Sequence, residues 1–174
     1  RLEHLTGFER ESVQRVLDFL KEEVLRCRAH IRDLIRDSDL LRAKMGVLTE
    51  LKGIGEVVAS TLVACLPEIG TIGGKQLASL AGLAPHAHDS GQYKGKRRIG
   101  GGRANVRSML YLAAMSAVQK AGFLRDMYLR LRQAGKPAKV AQVACAHKLL
   151  TVANARLRDA LSQEGGRSGA PQYA

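Results

Sequence analysis

Apolar side chains recur at alternating spacings of four and three residues along the first quarter of the chain. This heptad pattern predicts one helix from about residue 13 to residue 45, flanked by acidic and basic side chains. A narrow apolar stripe of this kind indicates a coiled coil, and a long helix folded back on its own domain is the other interpretation. We expect residues 1–46 to form a coiled-coil helix that joins copies of the chain. The seam is Val13, Leu17, Leu20, Val24, Cys27, Ile31, Leu34, Ser38, Leu41 and Met45, and Ser38 alone interrupts it.

Shorter helical segments, separated by glycine and proline, follow Gly46. The segment 48–66 indicates a helix, a tight turn and a second helix that ends before Pro67. No segment shows the alternation that is typical of a strand. We therefore predict an all-α fold with a compact helical domain over residues 47–162 and a disordered tail over 163–174. The further predicted helices are 75–81, 103–120, 123–133 and a last helix from Pro137 to about Leu161.

The string LKGIGEVVA at residues 51–59 has the form of the turn in helix-hairpin-helix motifs. Gly53 and Gly55 allow a tight turn that presents backbone N–H groups at the start of the next helix. Such groups bind DNA phosphates without reading bases. The other interpretation is a plain turn between helices, because Glu56 stands beside it and would repel a phosphate.

A glycine-rich loop of nineteen residues, 84–102, shows no helical periodicity. A loop of that length inside a helical domain is usually functional or disordered. It contains Ser90, which we regard as a candidate nucleophile, although Asp-Ser-Gly is also a common turn sequence. His86 and His88 are candidate bases for the serine. His147 lies on an otherwise apolar helical face and is interpreted as a core residue.

Positive charge is concentrated in the second half of the chain. The net charge is +12, and residues 90–174 hold sixteen basic and three acidic residues, a surplus of thirteen. A surplus confined to one half predicts a surface that binds a polyanion, and a solvated basic face is the simpler interpretation. Arg103 and Arg107 lie four apart in a helix start, where cations oppose the helix dipole unless an anion lies between them. The predicted phosphate contacts are Lys94, Lys96, Arg97, Arg98, Arg103 and Arg107.

Several classes of protein are disfavoured by composition. No run of eighteen apolar residues is present, so we expect no membrane span. The cysteines Cys27, Cys65 and Cys145 are odd in number and far apart, which disfavours disulfides and zinc and favours a cytoplasmic location. We expect no metal site in this chain, because no acidic cluster resembles a two-metal nuclease centre. The chain begins at Arg1 without a signal-like segment, and we expect it to be a piece of a longer protein.

Four strings along the chain resemble, in this order, the C-terminal transposase domain of the insertion-sequence one-ten family, the bridge-RNA-guided recombinases. The resemblance covers about residues 47–162, and the heptad helix before it resembles the coiled coil that links the two domains of that family. The strings are LKGIGEVVASTLVACLPEIG, LASLAGLAPHAHDSG, KGKRRIGGGRANVRSMLYLAAMSA and GKPAKVAQVACAHKLLTVANARLRD.

This resemblance implies a bacterial, cytoplasmic DNA transposase in which a serine attacks a DNA phosphate and becomes linked to it. The matching position here is Ser90. It also implies DNA and a bridge RNA as partners, an active site composed between subunits, and a RuvC-like domain before Arg1 whose four acids bind Mg²⁺. Without that domain we expect the chain to be inactive alone. The remaining hypotheses are a non-catalytic helix-hairpin-helix module that binds DNA or RNA, and a coiled-coil assembly protein.

Overall fold

The computed structural model describes residues 6–86 and 98–167, and these residues confirm the all-α prediction. Seven helices and one short two-stranded ladder make up this part of the chain. The chain divides into two compact units, Arg1–Arg42 and Ala43–Ala174, so the division falls four residues before the expected one. The elements are α1 (Gly7–Arg36), α2 (Asp39–Thr49), α3 (Glu56–Cys65), α4 (Gly74–Leu80), β1 (Pro85–His86), β2 (Arg98–Ile99), α5 (Ala104–Gln119), α6 (Phe123–Gln133) and α7 (Ala138–Arg167).

In the first unit, α1 starts with a capping box and has no buried residue. Glu9 accepts hydrogen bonds from the backbone N–H and the hydroxyl of Thr6, at 2.9 and 2.8 Å. These bonds lower the pKa of the Glu9 carboxyl. Leu20 and Ile31 of the predicted seam are 52% and 41% exposed within the chain. Apolar exposure also extends beyond that seam, to Val16, Phe19 and Leu25.

The prediction of one uninterrupted helix to residue 45 is wrong at a single point. Helix α1 ends at Arg36, and α2 begins two residues after Asp37. Ser38 is the reason: its hydroxyl accepts a long hydrogen bond from the N–H of Leu41, at 3.4 Å, and its carbonyl accepts one from Arg42 at 3.0 Å. Serine is one of the residues preferred at the capping position before the first turn of a helix. The only polar position of the seam is therefore a helix start.

In the second unit, α5 lies against α7, α6 and α3. Its buried face combines Val106 and Leu110 with three small side chains, Ala113, Ala114 and Ala117. Small side chains let neighbouring backbones approach closely. A Cβ atom added to Gly53 would stand 2.5 Å from the carbonyl oxygen of Ala113 and 2.7 Å from Cβ of Ala117. Gly53, at φ +96°, is therefore required both by its backbone angle and by the contact with α5.

Asn154 on α7 fixes the loop between α3 and α4. Asn154 is 3% exposed. Its side-chain oxygen accepts a hydrogen bond from the backbone N–H of Gly70 at 2.7 Å, and its amide nitrogen donates one to the carbonyl oxygen of Ile72 at 3.0 Å. Gly70 also packs closely on α7, since a Cβ there would stand 3.1 Å from Cβ of Leu157. The amide thus satisfies loop backbone groups that burial would otherwise leave unpaired. The same loop carries Glu68, discussed below.

Two predicted boundaries differ from the observed ones in ways that bear on the site. Two-residue strands β1 and β2 pair antiparallel inside the segment predicted as an irregular loop. The last helix continues to Arg167, so residues 163–167 are helical where a tail was expected to begin. Within the described residues, no helix has the length and apolar character needed to cross a membrane.

Candidate nucleic-acid interface

The turn at residues 51–55 directs its two glycines to different surroundings. Leu51 and Ile54 are buried, and the N–H of Ile54 donates to the carbonyl of Leu51 at 2.9 Å. Gly53 faces α5, as described above. Gly55 is exposed, with no atom within 4 Å of where a Cβ would stand, and it is the residue immediately before α3. Only Gly55 of the pair therefore stands at an open helix start, where backbone N–H groups can meet a phosphate.

Lys52 ties this turn to the end of α5, a role that the sequence analysis missed. Its Nζ donates a hydrogen bond to the carbonyl oxygen of Ala121 at 3.0 Å. Ala121 precedes Gly122, whose φ of +149° lets the chain enter α6. A cation suits this place, because carbonyl groups at a helix end carry partial negative charge.

The ends of the 84–102 loop are held side by side. In the ladder, Pro85 pairs with Ile99 and His86 pairs with Arg98. Just below it, a Cβ added to Gly102 would lie 2.5 Å from the backbone nitrogen of Gly82 and from the carbonyl oxygen of Leu80. The two backbones thus cross in direct contact. We call residues 82–86 together with 98–102 the stem.

Arg103 locks the lower end of the stem. Its backbone N–H donates to the carbonyl of Leu80 at 2.8 Å. Its guanidinium forms a two-pronged ion pair with Glu68, with Nη1 to Oε2 at 2.5 Å and Nη2 to Oε1 at 2.7 Å. The two side chains are about one-third exposed, 36% for Arg103 and 32% for Glu68. Hydrogen bonding from Arg103 lowers the pKa of the Glu68 carboxyl from 4.5 to about 2.

The Arg103–Glu68 pair explains why an arginine is tolerated at the start of a helix. Arg103 is the residue before α5, where its charge opposes the helix dipole, and the anion beside it is the Glu68 carboxylate. Arg107 instead donates from Nη1 to the carbonyl oxygen of Gly101 at 2.6 Å. Both arginines therefore contact the protein itself at the foot of the stem. Sequence spacing alone gives no signal that pairs Glu68 with a residue 35 positions away.

The remaining predicted site residues fall into two groups. Arg98 ends the stem as an exposed side chain of β2, and the backbone of His86 belongs to β1. His147, predicted to lie in the core, is only half-buried and lines a groove beside the stem, so that interpretation is wrong. Ser90, His88, Lys94, Lys96 and Arg97 lie outside the described residues.

Metal-binding side chains do not gather in the described segments 6–86 and 98–167. These segments contain no group of three or more His, Cys, Asp or Glu side chains placed to hold a metal ion. Cys27 is exposed, Cys65 is half-buried and Cys145 is buried, and all three are free thiols. Burial raises the pKa of the Cys145 thiol.

The described domain is almost entirely helical, and comparison with known proteins specifies its family. Residues 45–129 match the Transposase IS116/IS110/IS902 family. The chain carries a transposase domain of that family.

Curated relatives extend the similarity beyond the matched segment. The chain is 33% identical over 131 residues to the insertion element IS116 uncharacterized 44.8 kDa protein of Streptomyces clavuligerus, which covers 74% of this chain and 32% of that protein. It is 30% identical over 132 residues to the pilin gene-inverting proteins of Moraxella bovis and Moraxella lacunata, covering 74% of this chain and 41% of each of them. The chain thus spans about a third to two-fifths of the length of these relatives.

The ion pair at the foot of the stem predicts a pH-dependent stability. Because the folded-state pKa of Glu68 is lowered from 4.5 to about 2, its contribution is fully present above pH 4.5 and is lost as the pH falls towards 2. Glu68→Gln should lower the urea midpoint of unfolding at pH 7. Between pH 5 and pH 3, the free energy of unfolding of the variant should fall less than that of the wild type. Urea unfolding followed by circular dichroism at each pH measures both effects.

Glu50→Gln is the matched control. Glu50 lies 3.7 Å from Arg156, and both side chains are well exposed, so its charge should matter little. Equal pH dependence in the wild type and in Glu68→Gln would contradict the assigned role of the pair.

Proposed function

We propose that this chain is the serine-bearing helical part of an RNA-guided DNA recombinase that cleaves and rejoins DNA through a phosphoserine intermediate. The stem is the observation that carries the proposal. It places His86 and Arg98, the residues that flank the segment 87–97, next to each other. That segment contains Ser90 and three basic residues, and Arg98 adds a fourth at the exit. Membership of a transposase family supports DNA as the substrate.

In the proposed reaction, the Ser90 hydroxyl attacks a DNA phosphorus. A serine-oxygen-to-phosphorus bond forms while the bond from phosphorus to one deoxyribose oxygen breaks. The serine loses its proton, and the departing deoxyribose oxygen gains one. The phosphoserine link conserves the energy of the phosphodiester, so attack by the hydroxyl of another strand reverses the step and rejoins the DNA without an external energy source.

Negative charge on the transferring phosphate must be neutralised as the reaction proceeds. Lys94, Lys96, Arg97 and Arg98 are close enough to Ser90 in sequence to be proposed for this role. Arg103 and Arg107 are proposed to act indirectly, since they hold the foot of the stem. Mg²⁺, which the family resemblance implies, has no ligand cluster within the described residues 6–86 and 98–167.

Guide RNA and DNA are proposed to meet the remaining basic surface mainly through their phosphates. Helix α7 contains no acidic residue between its start at Ala138 and Arg158. Backbone contact of this kind positions a nucleic acid without selecting a sequence. Sequence selection would then come from base pairing between the guide RNA and DNA.

A second candidate function is a non-catalytic helix-hairpin-helix module. The exposure of Gly55, the residue before α3, supports it, because backbone N–H groups in the first turn of a helix can bind a phosphate. Such a module would work without the Ser90 hydroxyl. Removal of the Ser90 hydroxyl therefore separates the two functions.

Replacing the proposed nucleophile should abolish chemistry and leave binding intact. Ser90→Ala removes one oxygen, so in the full gene product supplied with guide RNA and Mg²⁺, we expect cleavage to fall by a factor on the order of 10⁴ or more. Denaturing gels of labelled DNA measure cleavage and the protein-linked product. Ser108→Ala, an exposed serine on α5, is the control. Near wild-type recombination by Ser90→Ala, or an adduct that maps to Tyr93, would contradict the proposal.

The loop cations should supply phosphate contacts that are independent of sequence. Replacing Lys94, Lys96, Arg97 and Arg98 with Gln should reduce the slope of log affinity against log salt by about 0.9 per lost duplex contact. Fluorescence anisotropy with two unrelated duplexes measures the slope. The control replaces Lys21, Arg26, Arg28 and Arg36 in α1, where acids balance bases. A loss confined to one duplex sequence, or an equal loss in the control, would count against this assignment.

Helix α1 is proposed to join copies of the chain through its exposed apolar seam. Leu20→Asp combined with Ile31→Asp should lower the mass measured by light scattering, because association would bury the new charges. Ser12→Asp combined with Ala29→Asp adds the same charge at exposed positions outside the seam and should leave the mass unchanged. An unchanged mass in the seam variant would show that α1 does not mediate association.

A further inference from the structure

A groove of about 920 Å³ runs beside the stem, between the stem, α6 and α7. Its size lies within the range of about 300–1,000 Å³ that is common for small-ligand sites. The stem contributes Pro85 and Ile99, and α6 contributes Met127. The α7 wall is formed by Val140, Val143 and Ala144. The floor of the groove is therefore apolar.

Basic side chains surround this apolar floor. Arg98 of the stem and Lys139 and Lys148 of α7 line the groove and are exposed, and His147 lies between them. Among the described residues 6–86 and 98–167, no residue that lines the groove is acidic. The apolar side chain of Val140 is 53% exposed in a groove that basic side chains also line. An apolar floor with a cationic rim is complementary to a ligand with flat apolar faces and anionic groups at its edge.

We propose that this groove binds one or two unpaired nucleotides of a nucleic-acid strand, next to the proposed Ser90 loop. Phosphates of the strand contact Arg98, Lys139 and Lys148, and a base lies on the apolar floor. In a duplex the faces of the bases are stacked on one another, so only an unpaired base can cover Val140 and Val143. The flat Arg98 guanidinium and His147 imidazole are also groups on which unstacked bases can lie.

The proposal rests on the proposed function, since it assigns the groove to the same nucleic-acid substrate. It adds that the strand is locally unpaired beside the stem. The competing occupant is a helix from a second copy of the chain. Residues 1–45, which contain the exposed apolar helix α1, hold ten basic and nine acidic residues, so this segment carries a net charge of +1 and offers no negative surplus to match the cationic rim. Charge complementarity therefore favours the nucleic acid.

The test compares Val140→Gln and Val143→Gln with Leu112→Gln in the full chain. Leu112 is an exposed apolar residue of α5 that is 56% exposed and does not line the groove. The probes are a fluorescein-labelled 12-nucleotide oligothymidylate and a blunt 12-base-pair duplex, both followed by anisotropy. Loss of one stacked base is worth about 1–3 kcal/mol, which is about a 5- to 150-fold loss of single-strand affinity. We expect that loss in both groove variants, with duplex affinity and Leu112→Gln unchanged.

Lys139→Gln and Lys148→Gln provide an independent arm. Each should lower the salt slope for the single strand by about 0.7 per lost contact. Equal losses for single strand and duplex, or no loss in either groove variant, would overturn the proposal. A fall in light-scattering mass without a change in single-strand affinity would assign the groove to a second copy instead.

Failure of this proposal is distinguishable from failure of the proposed function. Ser90→Ala should retain single-strand binding in the groove. If Ser90→Ala recombines normally while Val140→Gln loses single-strand affinity, the groove stands and the serine chemistry is wrong. If Ser90→Ala is inactive and both groove variants bind the single strand normally, the serine chemistry stands and the groove proposal is wrong.

Discussion

The ion pair between Arg103 and Glu68 joins three segments that are remote in sequence. Arg103, the residue before α5, donates its backbone N–H to the carbonyl oxygen of Leu80 at the end of α4. Its ion-pair partner Glu68 belongs to the loop between α3 and α4, which is hydrogen-bonded to Asn154 of α7. The pair is geometrically matched, because a planar guanidinium and a carboxylate can form two parallel hydrogen bonds. The position of the stem therefore depends on contacts from α4, α5 and α7 together. A change in any of these contacts would be transmitted to the stem.

The same pair shapes the electrostatics of the basic half. Between Glu68 and Asp126, the sequence contains one other acid, Asp89. Glu68 neutralises Arg103, whose charge would otherwise oppose the dipole of α5. The exposed cations of the groove, Arg98, Lys139 and Lys148, have no acidic side chain beside them among the described lining residues. Within the described residues, Arg103 is paired internally with Glu68, whereas Arg98, Lys139 and Lys148 are exposed to solvent. Such a division of roles is not visible in the net charge.

Local patterns predicted the helices well and the long-range contacts poorly. The apolar spacing placed α6 at its observed bounds and α5 within one residue, because those helices bury one face. The sequence does not distinguish a capping serine from a polar seam position, so the heptad pattern runs through Ser38 without predicting the break between α1 and α2. Two-residue strands leave no alternation to detect, and the partners of Asn154 are 84 and 82 residues away. The assignments of Ser90, Lys94, Lys96 and Arg97 stay predictions.

Closure of the stem by backbone atoms has a consequence for how such a loop can diverge. The crossing at Gly82 and Gly102 and the bond from Arg103 to Leu80 involve no side chain of the segment 87–97. Insertions there would enlarge a loop whose ends are already tethered, and doubling its length costs only about 0.6 kcal/mol of closure entropy. The domain can therefore accept a different loop without losing its fold. Selection on that segment would act on chemistry and substrate contacts, and selection on the glycines and Arg103 would act on architecture.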